Sequence, residues 1–381
     1  TLANDASISG LTVGKGGGSV ATNTAVGLSA LASNSTGASN TAVGRLALTA
    51  TTGDANTGVG ASALRQNSSG VNNTSIGASS MDANTTGGYN TAVGVSALLS
   101  NTTANYSTAV GYQAGYSTTT GYLTAVGYQA GYAMASNVGV FVGYRAGAST
   151  TGDQNTFVGT SSGQATTSGT ANTALGSNSF TSNTTGAGNI AIGNYALQAN
   201  TTASENTAVG YQSLYSNTTG AENTGMGYAA LKNTTTSSWN AGFGAYALYS
   251  NTTGAYNTAF GAQTLQSNTT ASYNTAVGYQ AAYSSTGGQN DAFGYQALYQ
   301  TSSGSTNVGI GLAAGYNITT GTWNTCLGNS SGPNSGSAST GSYNTFLGAK
   351  AGSSNTTASN NTAVGYQAAY SNQTGADNIA I

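Results

Sequence analysis

The chain has 381 residues, and only 4% of them are charged, against about 25% in a typical soluble domain. The net charge of −2 comes from scattered residues, which excludes a basic patch for nucleic acid, and no apolar run is long enough for a membrane helix. The sequence has no histidine, which removes most nucleophile-base pairs and histidine metal sites. We therefore expect no enzyme activity, no cofactor, no metal site, no nucleic-acid partner and no membrane insertion.

Residues 1–22 are predicted to be an entry segment with a first, irregular coil. Leu11-Thr12-Val13-Gly14 ends in an apolar residue followed by glycine, a step that recurs along the chain. The glycine-rich residues 15–19 lack the glycine-lysine-serine or glycine-lysine-threonine order of a phosphate-binding loop, so a short turn is expected there.

Residues 23–381 are tandem repeats of 16 or 17 residues, and Asn206–Glu222 is one complete unit. A fixed period of this length predicts a solenoid in which each unit forms one coil stacked on the next. Counted from Gly14, the pattern predicts about 22 coils. The repeat glycines that define the period most clearly are Gly27, Gly44, Gly94, Gly111, Gly210, Gly278 and Gly365.

Two places depart from the regular unit. The spacing shortens to 16 residues between residues 123 and 159. Near residues 329–343 the unit gains three residues and the only proline, Pro333, which predicts a loop that bulges from one face. The last unit stops at Ile381, where the motif requires a glycine, so we expect the chain to be a segment of a longer polypeptide.

Each unit reads as a short strand followed by turns, without a helical pattern. The position of Thr207 sometimes holds valine or isoleucine, which predicts that it faces an apolar interior together with Val209. Ala208 would then point to the opposite side, where only alanine or glycine allows close packing. The predicted core valines are Val26, Val43, Val93, Val110, Val209, Val277 and Val364. Asp291 is an exception, because it occupies the inward position of Thr207.

Side chains at equal repeat positions are expected to form ladders along the stack. Asparagines of the Asn206 type can form amide ladders, and aromatic residues at one position can stack at about 4.8 Å. The predicted surface aromatic ladder comprises Tyr89, Tyr106, Trp239, Tyr256, Tyr273, Trp323 and Tyr343.

Few other residues suggest chemistry. Glu205 and Glu222 hold equal positions in successive units, and they are either a cation site or an exposed turn. Cys326 has no partner for a disulfide and is interpreted as a small core residue. Arg65 and Lys232 are expected at solvated tips. Asn-x-Thr triplets, such as those at Asn101 and Asn251, match the glycosylation pattern, although chance and turn formation also explain them.

The core predicted in this way is thin, since one unit offers little beyond Val209 and Leu214. Packing of the Ala208 side against other copies would bury more surface, which favours a threefold bundle. A flat solenoid of one chain is the alternative.

The step Asn206-Thr207-Ala208-Val209-Gly210 resembles the Ser-Val-Ala-Ile-Gly step of the trimeric autotransporter head, a left-handed parallel β-roll of three chains. The longer unit through Leu214 resembles repeats in phage tail-fibre proteins and in large bacterial surface proteins. The resemblance covers residues 23–381 and implies an all-β homotrimeric rod. The unit here is longer than that of the autotransporter head, and its second residue is mostly threonine.

The resemblance implies an extracellular structural role. The first hypothesis is the shaft of a phage or virion tail fibre, with a host-receptor-binding tip outside this segment that recognises a host glycan or protein. The second is a bacterial surface adhesin or extracellular filament. The third, ice binding by a flat solenoid, requires flat, exposed threonine rows, whereas Thr207 is predicted to face inward and Thr218 and Thr219 to lie in a turn.

Overall fold

The structure is a computed structural model that describes residues 6–9, 11–135 and 138–381. The chain divides into two compact units, residues 1–189 and residues 190–381. Apart from a 3-10 turn at Gly17–Ser19, the regular elements of the described residues are β-strands of two to four residues.

The first unit begins with an antiparallel hairpin. Strand β1 (Ala6–Ile8) pairs antiparallel with β2 (Leu11–Gly14), and β2 pairs antiparallel with β3 (Thr24–Val26). Leu11–Gly14 therefore matches the repeat motif without forming a coil. The parallel strands that follow β3 are β4 (Thr41–Val43), β5 (Thr57–Val59), β6 (Thr74–Ile76), β7 (Thr91–Val93), β8 (Thr108–Val110), β9 (Leu123–Val126), β10 (Gly139–Val142), β11 (Asn155–Val158) and β12 (Thr173–Leu175).

The second unit consists of the same kind of strand. Its strands are β13 (Ile190–Ile192), β14 (Thr207–Val209), β15 (Thr224–Met226), β16 (Ala241–Phe243), β17 (Thr258–Phe260), β18 (Thr275–Val277), β19 (Asp291–Phe293), β20 (Val308–Ile310), β21 (Thr325–Leu327), β22 (Thr345–Leu347), β23 (Thr362–Val364) and β24 (Ile379–Ala380). In the extended coil near residues 329–343, residues 335–338 are exposed.

From β3 onward, consecutive strands within each unit pair in parallel with equal repeat positions opposite each other. Thr207 lies opposite Thr224, for example, and Val209 opposite Met226. The backbone groups of each coil are thus satisfied by the next coil. The prediction of an all-β parallel solenoid with a 17-residue repeat is confirmed, and the two units together hold about 21 turns.

The predicted orientation of the strands is wrong. Ala208 is completely buried, whereas Thr207 and Val209 on either side of it are partly exposed. The same alternation places the predicted core valines outward, with Val43 and Val110 about one-third exposed and the others partly exposed: Val26, Val93, Val209, Val277 and Val364. Asp291 is therefore also on the outer side.

The reason for this orientation is the leucine of the following turn. Leu214 is fully buried, and a Cβ built on Gly225, which holds the position of Ala208 in the next coil, would lie 3.3 Å from the Leu214 Cγ. Leucine therefore occupies the interior and leaves room only for a small residue on the strand. The need for close packing at this position was predicted correctly, but the chain itself supplies the contact.

The leucines at this position have an unusual backbone conformation. Leu214 has φ 50° and Leu248 has φ 52°, which is the left-handed region that costs a non-glycine residue roughly 1–2 kcal/mol. In several coils glycine takes this position, and a bulky residue then enters from a strand. A Cβ on Gly131 would lie 2.8 Å from Phe141 Cδ2. In most coils one large side chain thus fills the interior, supplied either by the turn or by the strand, whereas the coil of Ala282 has alanine at both positions.

A first asparagine ladder, formed by residues equivalent to Asn206, runs along the interior. Asn257 is fully buried, and its Oδ1 accepts hydrogen bonds from the backbone N–H and the Nδ2 of Asn274, both at 3.0 Å. Its own Nδ2 donates to the Ala271 carbonyl at 2.9 Å and to Asn240 Oδ1 at 3.1 Å. One side chain therefore satisfies groups in two coils, as the sequence predicted for an amide ladder.

A second asparagine ladder is formed by residues equivalent to Asn217, and threonine or serine interrupts it. The Nδ2 of Asn217 donates to Asn200 Oδ1 at 3.1 Å, but the next coil has Thr234 at this position. Asn217 Oδ1 and Thr234 Oγ1 are both buried without a hydrogen-bond partner. Such a group costs about 1–3 kcal/mol, so this interruption is a local weakness.

We expect Thr234→Asn to stabilise the second unit by about 1–2 kcal/mol, because its amide would reach both Asn217 and Asn251 and restore the ladder. Thermal unfolding and hydrogen exchange of residues 214–254 are the measurements. The control is Thr253→Asn in an exposed turn, which should change neither. Equal or lower protection in Thr234→Asn would show that the interrupted ladder is not a weakness.

Candidate interaction surfaces

The outward side chains of the strands form a strand face in each unit. It has two rows, one of residues equivalent to Thr207 and one of residues equivalent to Val209. Neighbouring strands are about 4.8 Å apart, and residues i and i+2 within a strand are about 6.6 Å apart, so the face is a regular array.

The two units differ in what this array presents. In the first unit the rows are almost uniformly threonine and valine or isoleucine. In the second unit the row equivalent to Val209 carries larger side chains. They include Met226, Phe260 and Leu327, which are 39%, 57% and 40% exposed. The second unit thus presents the larger apolar side chains in this row.

Aromatic rings at the predicted ladder positions are exposed and several of them stack. Tyr89 and Tyr106 have ring centroids 5.3 Å apart with 16° between their planes. Trp239 stacks on Tyr256 at 6.2 Å, and Tyr256 stacks on Tyr273 at 5.1 Å with the rings nearly parallel. The two remaining predicted members, Trp323 and Tyr343, are also more than half exposed.

Other tyrosine positions form rows of the same kind. Tyr283, Tyr299 and Tyr316 stack at 5.2 Å and 4.9 Å, and burial, followed by the neighbouring tyrosines, raises the pKa of Tyr299. Lys232 interrupts a similar row, and its Nζ lies 5.9 Å from the Tyr215 ring and 5.7 Å from the Tyr249 ring. Lys232 is thus a cation–π bridge between two rings, which corrects its interpretation as a simple solvated tip.

The remaining polar candidates have mainly structural roles. Arg65 forms a bidentate ion pair with Asp82 of the next coil. Its Nε lies 2.8 Å from Oδ1 and its Nη2 lies 3.0 Å from Oδ2, so the guanidinium is not simply solvated. Glu205 and Glu222 occupy successive turn positions with φ near 60°. Among the described residues, no three histidine, cysteine, aspartate or glutamate side chains converge as metal ligands.

The triplets at Asn101 and Asn251, two of many in the chain that match the glycosylation pattern, lie in the second asparagine ladder. The Nδ2 of Asn101 donates to Asn84 Oδ1 at 3.2 Å, and that of Asn251 donates to the Gly254 carbonyl at 2.9 Å. Both side chains are fully buried. In the folded coils these nitrogens are thus inaccessible to a modifying enzyme.

Cys326 occupies the buried position of Ala208, and burial raises the pKa of its thiol to about 12. Since the thiolate is the reactive form, we expect native Cys326 to react with a thiol reagent at pH 8 at least about 100-fold more slowly than in urea. Absorbance of the released reagent anion measures the rate. A native rate equal to the unfolded rate would place Cys326 at the surface.

Comparison of the chain with protein-family models and with curated proteins found no match. In the described part of the chain, no helix has the length and apolar character needed to cross a bilayer.

Proposed function

We propose that the chain is a stretch of the shaft of an extended extracellular fibre, of the kind found in phage or virion tail fibres. The observation that supports this role is the repetition of one coil whose backbone and buried amides are satisfied by its neighbours. Such a coil can be added many times at an equal rise. Recognition of a host glycan or protein would belong to a tip domain outside this segment.

Immuno-electron microscopy tests this proposal. Antibodies against the purified segment should label filamentous appendages of virus particles from the source culture, and pre-adsorption with the segment should abolish the label. Labelling confined to bacterial envelopes would instead favour the second hypothesis, a surface adhesin or filament built from the same coils. Absence of label from both would contradict a fibre role.

Ice binding, the third hypothesis, is also supported by one observation. The threonines equivalent to Thr207 point outward, which removes the objection that this row faces inward. In the first unit, nine of ten strands β3–β12 present threonine at this position, and only Val140 departs. A regular array of hydroxyl and methyl groups is the surface that an ordered water lattice would require. Thermal hysteresis and the shape of ice crystals grown with the segment test this candidate, and Thr91→Lys should abolish any activity.

A further inference from the structure

We propose that the apolar row of the second unit is a self-association surface that packs against the same row of a second copy of this chain. The apolar row is defined as the residues directly before the repeat glycines of β13–β23. Its members are Ile192, Val209, Met226, Phe243, Phe260, Val277, Phe293, Ile310, Leu327, Leu347 and Val364.

The apolar row is one continuous patch. Its members lie on consecutive strands of one parallel array, so neighbours are about 4.8 Å apart. Phe243 and Phe260 touch, with ring centroids 5.5 Å apart. Phe260, Ile310 and Leu347 are 57%, 40% and 41% exposed. Continuous exposed apolar surface of this kind marks an interaction site in proteins.

The size of the row is suited to a stable contact. Complete burial of one such side chain removes roughly 60–120 Å² from water. Six of the eleven side chains are 38–57% exposed and the other five are partly exposed, so the row contributes on the order of 200–400 Å² per copy. Flanking threonines and exposed tyrosines such as Tyr228 and Tyr295 enlarge this surface toward the ~800 Å² per partner of a standard interface.

The charge distribution favours an apolar partner. On the strand face of the second unit, Asp291 is the single charged residue, and it lies in the threonine row rather than in the apolar row. A partner centred on the apolar row leaves this carboxylate at the margin of the contact, where water can still reach it. Complementary charges on the partner are therefore unnecessary.

The spacing of the row indicates which partner fits. Side chains interdigitate along a long contact only if both surfaces repeat at the same distance. A second copy presents the same row at the same period, and a self-complementary contact of identical patches is the usual form of a symmetric assembly. The Ala208 position cannot serve, because it is already buried within its own chain.

The test is the mass of the purified chain in solution, by light scattering and native mass spectrometry. We expect a dimer or larger oligomer at micromolar concentration. The double variant Phe260→Lys with Leu327→Lys should raise the dissociation constant about tenfold or more, because two ammonium groups would have to enter the contact. The matched control, Thr270→Lys with Ser303→Lys, adds the same charge to exposed turns and should leave the mass unchanged.

A milder pair, Phe260→Thr with Leu327→Thr, keeps strand-compatible side chains and should weaken association in the same direction if the lysine variant fails to fold. A monomeric wild-type chain at about 100 μM, which corresponds to a very weak interface, would overturn the proposal. So would an unchanged mass in a folded row variant. The solution mass reports self-association whichever particle carries the chain, so its failure is distinct from failure of the proposed fibre role.

Discussion

Replacing Gly261 with alanine is expected to destroy the local fold of the second unit. Gly261 has φ +136°, a conformation that is essentially restricted to glycine, and a Cβ there would lie 2.5 Å from the Gly278 carbonyl oxygen of the next coil. Relieving that contact requires the coils to separate and break the ladder. We expect a loss of at least about 3 kcal/mol and loss of hydrogen-exchange protection across residues 241–280.

The control for this variant is Gly336→Ala. Gly336 also has positive φ, at +88°, but it lies in the exposed part of the extended coil with nothing within 4 Å of an added Cβ. Gly336→Ala therefore measures the destabilisation caused by the backbone conformation alone, without the close approach of the coils. We expect it to lower the free energy of unfolding by about 1 kcal/mol. If the two variants lose equal stability, the contact between consecutive repeat glycines is not what requires glycine.

Replacing Asn257 with alanine is the second large effect. The change removes Oδ1, which accepts from the Asn274 backbone N–H and from Asn274 Nδ2, and leaves both donors buried. At about 1–3 kcal/mol for each unsatisfied group, we expect a loss of roughly 2–5 kcal/mol. Thermal unfolding and limited proteolysis between residues 240 and 290 measure it.

The control for this second variant is Asn329→Ala, since Asn329 is exposed and follows a repeat glycine. Its loss should be within about 0.5 kcal/mol, as for most surface substitutions. Asn257→Asp separates shape from hydrogen bonding. It keeps the acceptor but removes the donor to Ala271 and buries a charge, so we expect it also to destabilise the unit. Wild-type stability in Asn257→Ala would show that the ladder is dispensable.

The sequence predicted the period, the parallel strands, the aromatic rows and the asparagine ladder because each of these repeats in register. The sequence predicted that Thr207 and Val209 face the interior, which is wrong. Valine or isoleucine at the position of Thr207 is typical of a buried strand position, but a half-exposed β-surface tolerates the same residues. The Ala208 position, which is small wherever leucine follows in the turn, carried the correct signal. Alanine and glycine there mark a strand pressed against a bulky interior residue, Leu214.

The left-handed leucines could not be predicted from their residue type, since leucine rarely adopts positive φ. A signal was nevertheless present, because glycine replaces leucine at this position in coils such as that of Gly163. Phe157 supplies the missing volume in that coil, and its ring lies where a Cβ of Gly163 would be. The exchange of volume between turn and strand becomes visible only when both positions are compared across the coils.

The interrupted second ladder has a mechanical consequence. In each unit the hydrogen bonds between coils run along the stacking direction, so a pulling force is carried by every junction in series. Junctions such as that between Asn217 and Thr234 lack an amide bond that their neighbours have, and they should part first. The threonines of this row whose hydroxyls lack a partner, such as Thr234, would then be the points at which a stretched unit separates, one block of coils at a time.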